Sequence, residues 1–273
     1  MNIAMHTTAA LQRPPPSLPP VIRPAQLRQP RFEAVWARHD DEVRAAQALR
    51  WSVFAGEMGA HLHPPAGTPP GLDVDEFDAY CEHLLVRTLP QDDSPSQVVG
   101  TYRLLTPAAA RLMGGLYSET QFDLARLHLL RPRMAELGRS CTHPLWRSGG
   151  VILALWASLG QFLHRSGLDC VIGSASISMR DGGRLASQLW HELRLTRLVD
   201  AGSQVWARRP LELLHADDRH PFEAPPLIKG YLRCGGRVLG PPAWDADFRT
   251  ADLPMMLRLA DLPAAYRSRF IHA

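Results

Sequence analysis

The sequence predicts a mixed α/β (α+β) domain, with helices packed on a largely antiparallel sheet. Three observations support this. Strand-like runs and helical periodicities alternate irregularly, without the steady strand–helix repeat of a doubly wound fold. Two β-type runs, 83–88 and 98–105, are joined by the turn-rich stretch Pro90 to Ser96, the pattern of an antiparallel hairpin. Finally, 273 residues at 45% hydrophobic content suffice for one large domain or two small ones with a real core.

The elements follow in order. Residues 1–30 are proline-rich, with Pro14-Pro15-Pro16, Pro19-Pro20, Pro24 and Pro30, and lack periodicity; a disordered tail is expected. The folded domain should run from 31 to 273, with a C-terminal extension from about 205. Phe32 to Trp36 alternates like a strand. Asp40 and Asp41 look like the cap of a helix from Glu42 to Glu57, whose apolar positions Val43, Ala46, Leu49, Val53 and Phe54 recur at helical spacing. A Gly/Pro-rich loop spans Gly59 to Gly71. After the hairpin, a less regular region extends to about Pro132. A strand from Met134 to Cys141 leads into a helix from Gly149 to about His164. Asp169 to Ser176 reads as a buried strand and Arg180 to Leu193 as a helix. Ile228 to Cys234 reads as a strand before a Gly235-Gly236 turn. No internal repeat is visible.

Composition excludes several classes. A formal charge of +3, from thirty basic and twenty-seven acidic residues, is no nucleic-acid footprint. Cys81, Cys141, Cys170 and Cys234 are widely spaced, without a C-x-x-C, so neither a zinc site nor a disulfide scaffold is expected. The first residues lack a basic n-region and a continuous apolar core, so no secretion signal is expected. The longest apolar stretch, Val151 to Leu163, is interrupted by Ser158, Gly160 and Gln161 and is shorter than the ~20 residues of a membrane span. A soluble, cytoplasmic protein is the expectation, with room for peripheral contact at the inner membrane.

Three constellations could carry chemistry. Asp73, Asp75, Glu76 and Asp78 crowd the stretch before the hairpin. They do not fit a calcium loop, because Phe77 occupies a ligand position and the required glycine and distal glutamate are missing. A solvated acidic loop, acids paired with buried arginines, and a cation-binding surface all remain open. The arginine reading draws on Arg50, Arg103 and Arg139, each alone in an apolar segment; a guanidinium there must be paired or face a cleft.

In the second constellation, Glu136-Leu137-Gly138-Arg139, a regular strand would point Glu136 and Arg139 to opposite faces. A bulge at Gly138 would bring them together and free backbone N–H groups for an oxyanion hole; an ordinary ion pair is the plainer alternative. The third, Arg147-Ser148-Gly149-Gly150, is a glycine turn before a helix, suited to an anion but no Walker loop. Cys141 near His143 is a weak nucleophile candidate, and no G-x-S-x-G is present.

Several segments resemble, in one order, the ornithine N-acyltransferases that make ornithine lipids. These belong to the GNAT superfamily and are relatives of the acyl-homoserine-lactone synthases. The matching segments are Leu49-Arg50-x-x-Val53-Phe54-x-x-Glu57, Asp73-x-Asp75-x-Phe77-Asp78-x-x-Cys81-x-His83-Leu84 and Val99 to Leu105. They continue with Tyr117 to Leu124, Glu136 to Cys141 and Pro225 to Arg233, together spanning 49–233. The resemblance implies a GNAT-like acyltransferase fold, a mostly antiparallel mixed sheet with helices on both faces. It also implies transfer of a 3-hydroxyacyl group from acyl carrier protein to the α-amine of ornithine. Arg50, Asp75, Asp78, Arg103, Glu136 and Arg139 match the charged cluster shared with the lactone synthases.

On this reading Glu136 accepts the amine's proton, and pairing with Arg139 or Arg103 would lower its pKa and weaken it as a base. Backbone N–H groups from Gly138 through Arg139 and Ser140 to Cys141 polarise the thioester carbonyl. Asp73 or Asp75 would hold ornithine's side-chain cation. Arg147, Gly149 and Gly150 would meet the pantetheine phosphate, although His143 to Gly150 follows the GNAT pyrophosphate loop only loosely. Arg126, Arg131, Arg133 and Arg147 are candidates for a carrier-protein patch. No metal or resident cofactor is expected; the donor is a thioester of acyl carrier protein or of coenzyme A. The rivals are a lactone-synthase-like or acetyl-CoA-dependent enzyme with another amine acceptor, and a non-catalytic binding module.

Overall fold

The computed structural model describes residues 32–90, 95–147, 149–215 and 222–271. The expected tail at 1–30, the 91–94 part of the hairpin linker and Ser148 lie outside the described residues. Strands β1 (Phe32–Trp36), β2 (Glu82–Thr88), β3 (Val98–Leu105), β5 (Met134–Thr142), β6 (Cys170–Ser178), β10 (Thr250–Arg258) and β8 (Arg237–Val238) form one sheet in that spatial order. Strand β9 (Ala243–Asp245) also pairs with β10. Strands β4 (Phe122–Asp123) and β7 (Trp206–Ala207) form a separate ribbon. Within the large sheet β5 and β6 pair in parallel; the other ladders are antiparallel.

The sheet's apolar residues divide between its faces, as alternation requires. On one face, Leu105, Met134, Ile172 and Met256 pack with Phe77, Phe122 and Leu127, next to helices α1 (Asp40–Trp51) and α2 (Pro107–Met113). On the other, Leu84, Leu104, Leu137 and Val171 meet Val151, Leu155 and Leu159 of α3 (Gly150–Arg165). Further along that face, Ala175, Ile177 and Leu253 meet α4 (Arg184–Thr196) and α5 (Pro226–Arg233). A final helix, α6 (Ala264–Ile271), lies against α3. Among the described residues no helix is long and apolar enough to cross a membrane.

Several expectations change. The first helix is α-helical only to Trp51 and continues as a π-helical stretch, Ser52–Glu57, while Asp40 and Asp41 occupy its first turn behind His39 at the N-cap. Helix α4 begins at Arg184, after a turn through Gly182 and Gly183. The irregular region contains α2, started by Thr106, whose side chain accepts from Ala109 N, and stopped by Gly114 at φ 92°.

The largest correction is at 228–234, which is helix rather than strand. Pro226 opens α5 at its first position, and Ile228 and Tyr231 share the buried side. Gly230 lets α5 lie against Trp156: a Cβ there would stand 2.9 Å from the indole. The sequence also concealed β10, because Pro254 sits in its middle. Beside β10, β9 pairs with residues 250–252 and β8 with 255–256, so Pro254 falls between the two ladders, where its missing N–H is tolerated. The residues after 205 supply β8, β9 and β10 to the sheet.

The parallel β5–β6 ladder stops at Glu136 opposite Ile172, although both strands continue. The next residue of β6, Gly173, allows the carbonyl of Leu137 to come close; a Cβ on it would meet that oxygen at 2.4 Å. Gly173→Ala should therefore cost about 1–3 kcal/mol, as overpacking against backbone does, and lower the melting temperature by roughly 2–10 °C. Thermal denaturation followed by circular dichroism checks this.

Candidate active site

Beyond Glu136, β5 and β6 diverge, and β5 also shifts register against β3. Thr101 pairs with Cys141 and Arg103 with Gly138, leaving Arg139 and Ser140 together opposite Tyr102. The expected bulge is therefore present, but at Arg139–Ser140 instead of Gly138. Arg139 takes the left-handed conformation at φ 50°, uncommon and strained for a side-chain-bearing residue. That twist brings its guanidinium to the Glu136 side of the sheet, against the rings of Tyr117 and Phe248. Ser140 turns to the opposite side, where its hydroxyl bonds that of Tyr102; Tyr102 in turn lies 2.6 Å from the Tyr231 hydroxyl.

Arg139 joins a buried network of alternating charge. Arg50, fully buried, donates from Nε to Asp73 Oδ2 at 2.8 Å and from Nη2 to Asp78 Oδ2 at 2.6 Å, and also bonds the Asp73 carbonyl. Arg103 donates to Asp75 at 2.5 Å and to Asp78 at 2.9 Å. Arg139 reaches Asp75 at 3.1 Å and Asp73 at 3.3 Å. Three guanidiniums thus meet three carboxylates, so of the readings left open for the acidic stretch, the geometry fits pairing with buried arginines. Burial alone would raise the Asp78 pKa, but Arg50 and Arg103 outweigh it and hold the carboxyl at about 2. His83 Nε2 lies 3.0 Å from the Asp78 carbonyl, and burial favours its neutral form.

Glu136 stands apart from this network. Its two oxygens accept from the backbone N–H groups of Tyr117 (2.7 Å) and Ser118 (2.6 Å), at the start of a 3₁₀ turn, Tyr117–Thr120. Among the described contacts neither Arg103 nor Arg139 is bonded to it, which corrects the expected pairing. Burial pushes its pKa up, and the Ser118 and Tyr117 donors, with the charge of nearby Arg103, offset this only in part.

A cavity of about 220 Å³ opens where the strands part. Of the sequence candidates, Glu136, Gly138, Arg139, Ser140 and Arg103 line it. Arg50, Asp73, Asp75 and Asp78 are not among its lining residues and brace Arg103 and Arg139. Cys141 packs among Leu49, Val53 and Phe54, and burial raises its thiol to about 12, a poor setting for a nucleophile. Arg147, Gly149 and Gly150 do not line the cavity. Arg147 is bound bidentately to Glu57 at 2.6 and 2.7 Å. The other expected patch arginines are also engaged: Arg126 with Trp206 and the Ala201 carbonyl, Arg131 with Glu119, and Arg133 with Asp169.

The sequence reading overlooked Gln121, Ser174, Ser176, Asp245, Phe248 and Asp252 as cavity or near-cavity groups. Their available signal was a lone aspartate in the apolar run around Asp252, the same cue that singled out the arginines. Away from the cavity, exposed His61, His63 and Asp247 bring ligand atoms within 4.8 Å of one another, a surface grouping of a kind common without a metal.

The acetyltransferase (GNAT) domain family matches residues 49–157. The chain is 34% identical over 245 residues to an L-ornithine N(alpha)-acyltransferase of Rhizobium meliloti (strain 1021), covering 86% of this chain and 82% of the relative. It is 35% identical over 233 residues to one of Rhodobacter capsulatus, covering 83% and 89%. Among solved structures, the acyl-homoserine-lactone (AHL) synthase LasI aligns over 89% of this chain and 96% of its own, at 14% identity and a TM-score of 0.49. The chain belongs to the L-ornithine N(alpha)-acyltransferase family and is an acyltransferase with a GNAT-like fold.

Two outcomes follow from the charge network. Arg50→Ala takes one of two arginine partners from each of the buried Asp73 and Asp78 and should cost about 3–5 kcal/mol, measured by urea denaturation. Because the Asp78 pKa is lowered on folding, its contribution is present above its ordinary value of 3.8 and is lost as pH falls toward about 2. Asp78→Asn should flatten the pH dependence of stability in that window, measured by denaturant titrations across it.

Proposed function

We propose that this family member transfers a 3-hydroxyacyl group from the thioester of an acyl carrier protein to the α-amine of ornithine, giving a lyso-ornithine lipid. The names of its relatives support the acceptor and the N-acyl linkage. The observation that carries the chemistry is Glu136: a buried carboxylate on the cavity wall, at the divergence of β5 and β6, without an arginine bonded to it.

The amine nitrogen attacks the thioester carbonyl, the new C–N bond forms, and the C–S bond breaks to release the carrier's thiolate, which takes up the proton shed by the nitrogen, passed on by Glu136 or through solvent. Glu136 takes the proton that the nitrogen must shed, directly or through one water. Its raised pKa makes it a better base than a carboxylate clamped by arginine. Backbone N–H groups of the bulge, between Gly138 and Cys141, stabilise the carbonyl oxygen as it gains charge. Gly138 suits this place because nothing lies within 4 Å of where its Cβ would be, leaving room for the thioester. The arginine–aspartate network fixes Arg103 and Arg139 at the wall. Asp73 and Asp75 are committed to it, which leaves the acceptor's cation to other groups. The chemistry needs no resident cofactor. A lipid product suits work at the inner-membrane surface from the cytoplasmic side.

Glu136→Gln should lower acyl transfer by about 10²–10⁴-fold while the protein still melts cooperatively. Mass spectrometry of products from ornithine and a 3-hydroxyacyl carrier protein measures this; near-normal turnover would remove Glu136 from the role of base. A product formed only from coenzyme A thioesters would overturn the carrier-protein donor.

A further inference from the structure

The cavity has a second acidic end. Asp252, on β10, is only 5% exposed, and Asp245, on β9, is half-buried; both line the cavity. Gln121 binds the two together, donating from Nε2 to Asp252 Oδ2 at 2.7 Å and to Asp245 Oδ2 at 3.1 Å. The Ser174 hydroxyl donates to Gln121 Oε1 at 3.3 Å, which sets the amide so that its nitrogen faces the acids. The other partners of Asp252 are the hydroxyls of Thr250, at 2.9 Å, and Ser176. Those of Asp245 are the backbone N–H groups of Asp247 and Phe248, each at 3.0 Å.

Every one of these donors is neutral. Among the described residues no arginine, lysine or histidine forms an ion pair with Asp245 or Asp252, whereas Asp73, Asp75 and Asp78 are each bound by two or more guanidinium contacts or shared between arginines. Two carboxylates brought to one amide nitrogen in a buried wall repel each other, and burial already pushes the Asp252 pKa up. Burying one carboxylate and half-burying its neighbour with neutral donors alone is costly, and a cation bonded to both would offset that cost. Each carboxylate retains acceptor capacity beyond the bonds it makes. A primary ammonium, compact and carrying three donors, matches that capacity.

Glu136 and this pair lie on one face of the sheet at different levels. Glu136 is level with Ile172 of β6, and Asp252 with Ser176. The Tyr117–Gln121 stretch touches both, through the Tyr117 and Ser118 N–H groups at Glu136 and through the Gln121 amide at the aspartates. The cavity therefore offers one carboxylate for a reacting amine and, further along the strand, two more for a second positive group.

We propose that Asp245 and Asp252, joined by Gln121, hold the side-chain ammonium of the amino-acid acceptor and so select a diamino acid over a neutral one. This assignment rests on reading the cavity as the acceptor site. The test compares ornithine with norvaline, which has the same carbon skeleton but no terminal ammonium, in wild type, Asp245→Asn and Asp252→Asn. Steady-state acylation with a 3-hydroxyacyl carrier protein and calorimetric binding of each amino acid provide two readouts; thermal melts confirm folding. Wild type should favour ornithine. Either variant should raise its KM about 10- to 100-fold, with the norvaline parameters little changed, so that discrimination collapses. Asp245→Asn, at the less buried position, keeps the test decisive should Asp252→Asn fail to fold. Variants that acylate ornithine with an unchanged KM and an unchanged preference over norvaline would overturn the assignment alone. A wild type that neither binds nor acylates ornithine, yet acylates another amine, would overturn the acceptor reading and this assignment with it.

Discussion

The buried exchange of charge among Arg50, Arg103 and Arg139 and among Asp73, Asp75 and Asp78 is the constraint on which the site depends. It ties helix α1, the acidic loop, β3 and β5 into one unit. Such a network adds little net stability, because desolvating each ion offsets much of the attraction, but losing one member leaves its buried partners short of a counter-charge. Its contribution is geometrical. Asp78 bonds both Arg50 and Arg103, and Asp75 bonds both Arg103 and Arg139, so none of the three arginines can swing away without breaking a shared contact.

This constraint explains the bulge. An arginine at φ 50° is costly by itself, and glycine one position earlier would have been the cheaper residue for that conformation. Arg139 takes it because the turn delivers its guanidinium to Asp73 and Asp75 and places it over Tyr117 and Phe248. On the other side of the sheet, the Ser140–Tyr102–Tyr231 hydroxyl chain holds the second bulge residue. The strain is thus fixed from both faces, at the point where β5 leaves β6 and the cavity begins. Gly173 completes the divergence by admitting the Leu137 carbonyl.

Much of this was legible in the sequence because periodicity and isolated charges are local signals. The hairpin strands, β5, α3 and β6 follow from apolar patterning, and the lone arginines were expected to need partners. What was hidden depends on contacts far apart in the chain. Residues 228–234 are rich in apolar side chains and short, so their pattern fits a strand as well as a helix; packing of Gly230 on Trp156 accompanies the helical choice. Strand β10 gives no clear local signal because Pro254 interrupts it, and the gap between β8 and β9 that accommodates this proline is a tertiary feature. The displacement of the bulge from Gly138 to Arg139 was invisible for the same reason: its cause lies in Asp73 and Asp75, more than sixty residues away.

The same reasoning divides the acids at the cavity wall and behind it into two kinds. Three are consumed by arginines and serve as structure. Glu136, Asp245 and Asp252 are hydrogen-bonded by neutral donors and, among the described residues, have no arginine bonded to them, so their oxygens can still accept from what enters. An acyltransferase acting on an amine needs this division. An arginine bonded to a base would keep it deprotonated but weak, while a cation bonded to carboxylates that receive an ammonium would compete with it. By bonding its guanidiniums to the carboxylates of one network, the protein can fix strained backbone with strong charges and still present carboxylates without a bonded arginine a few side chains away.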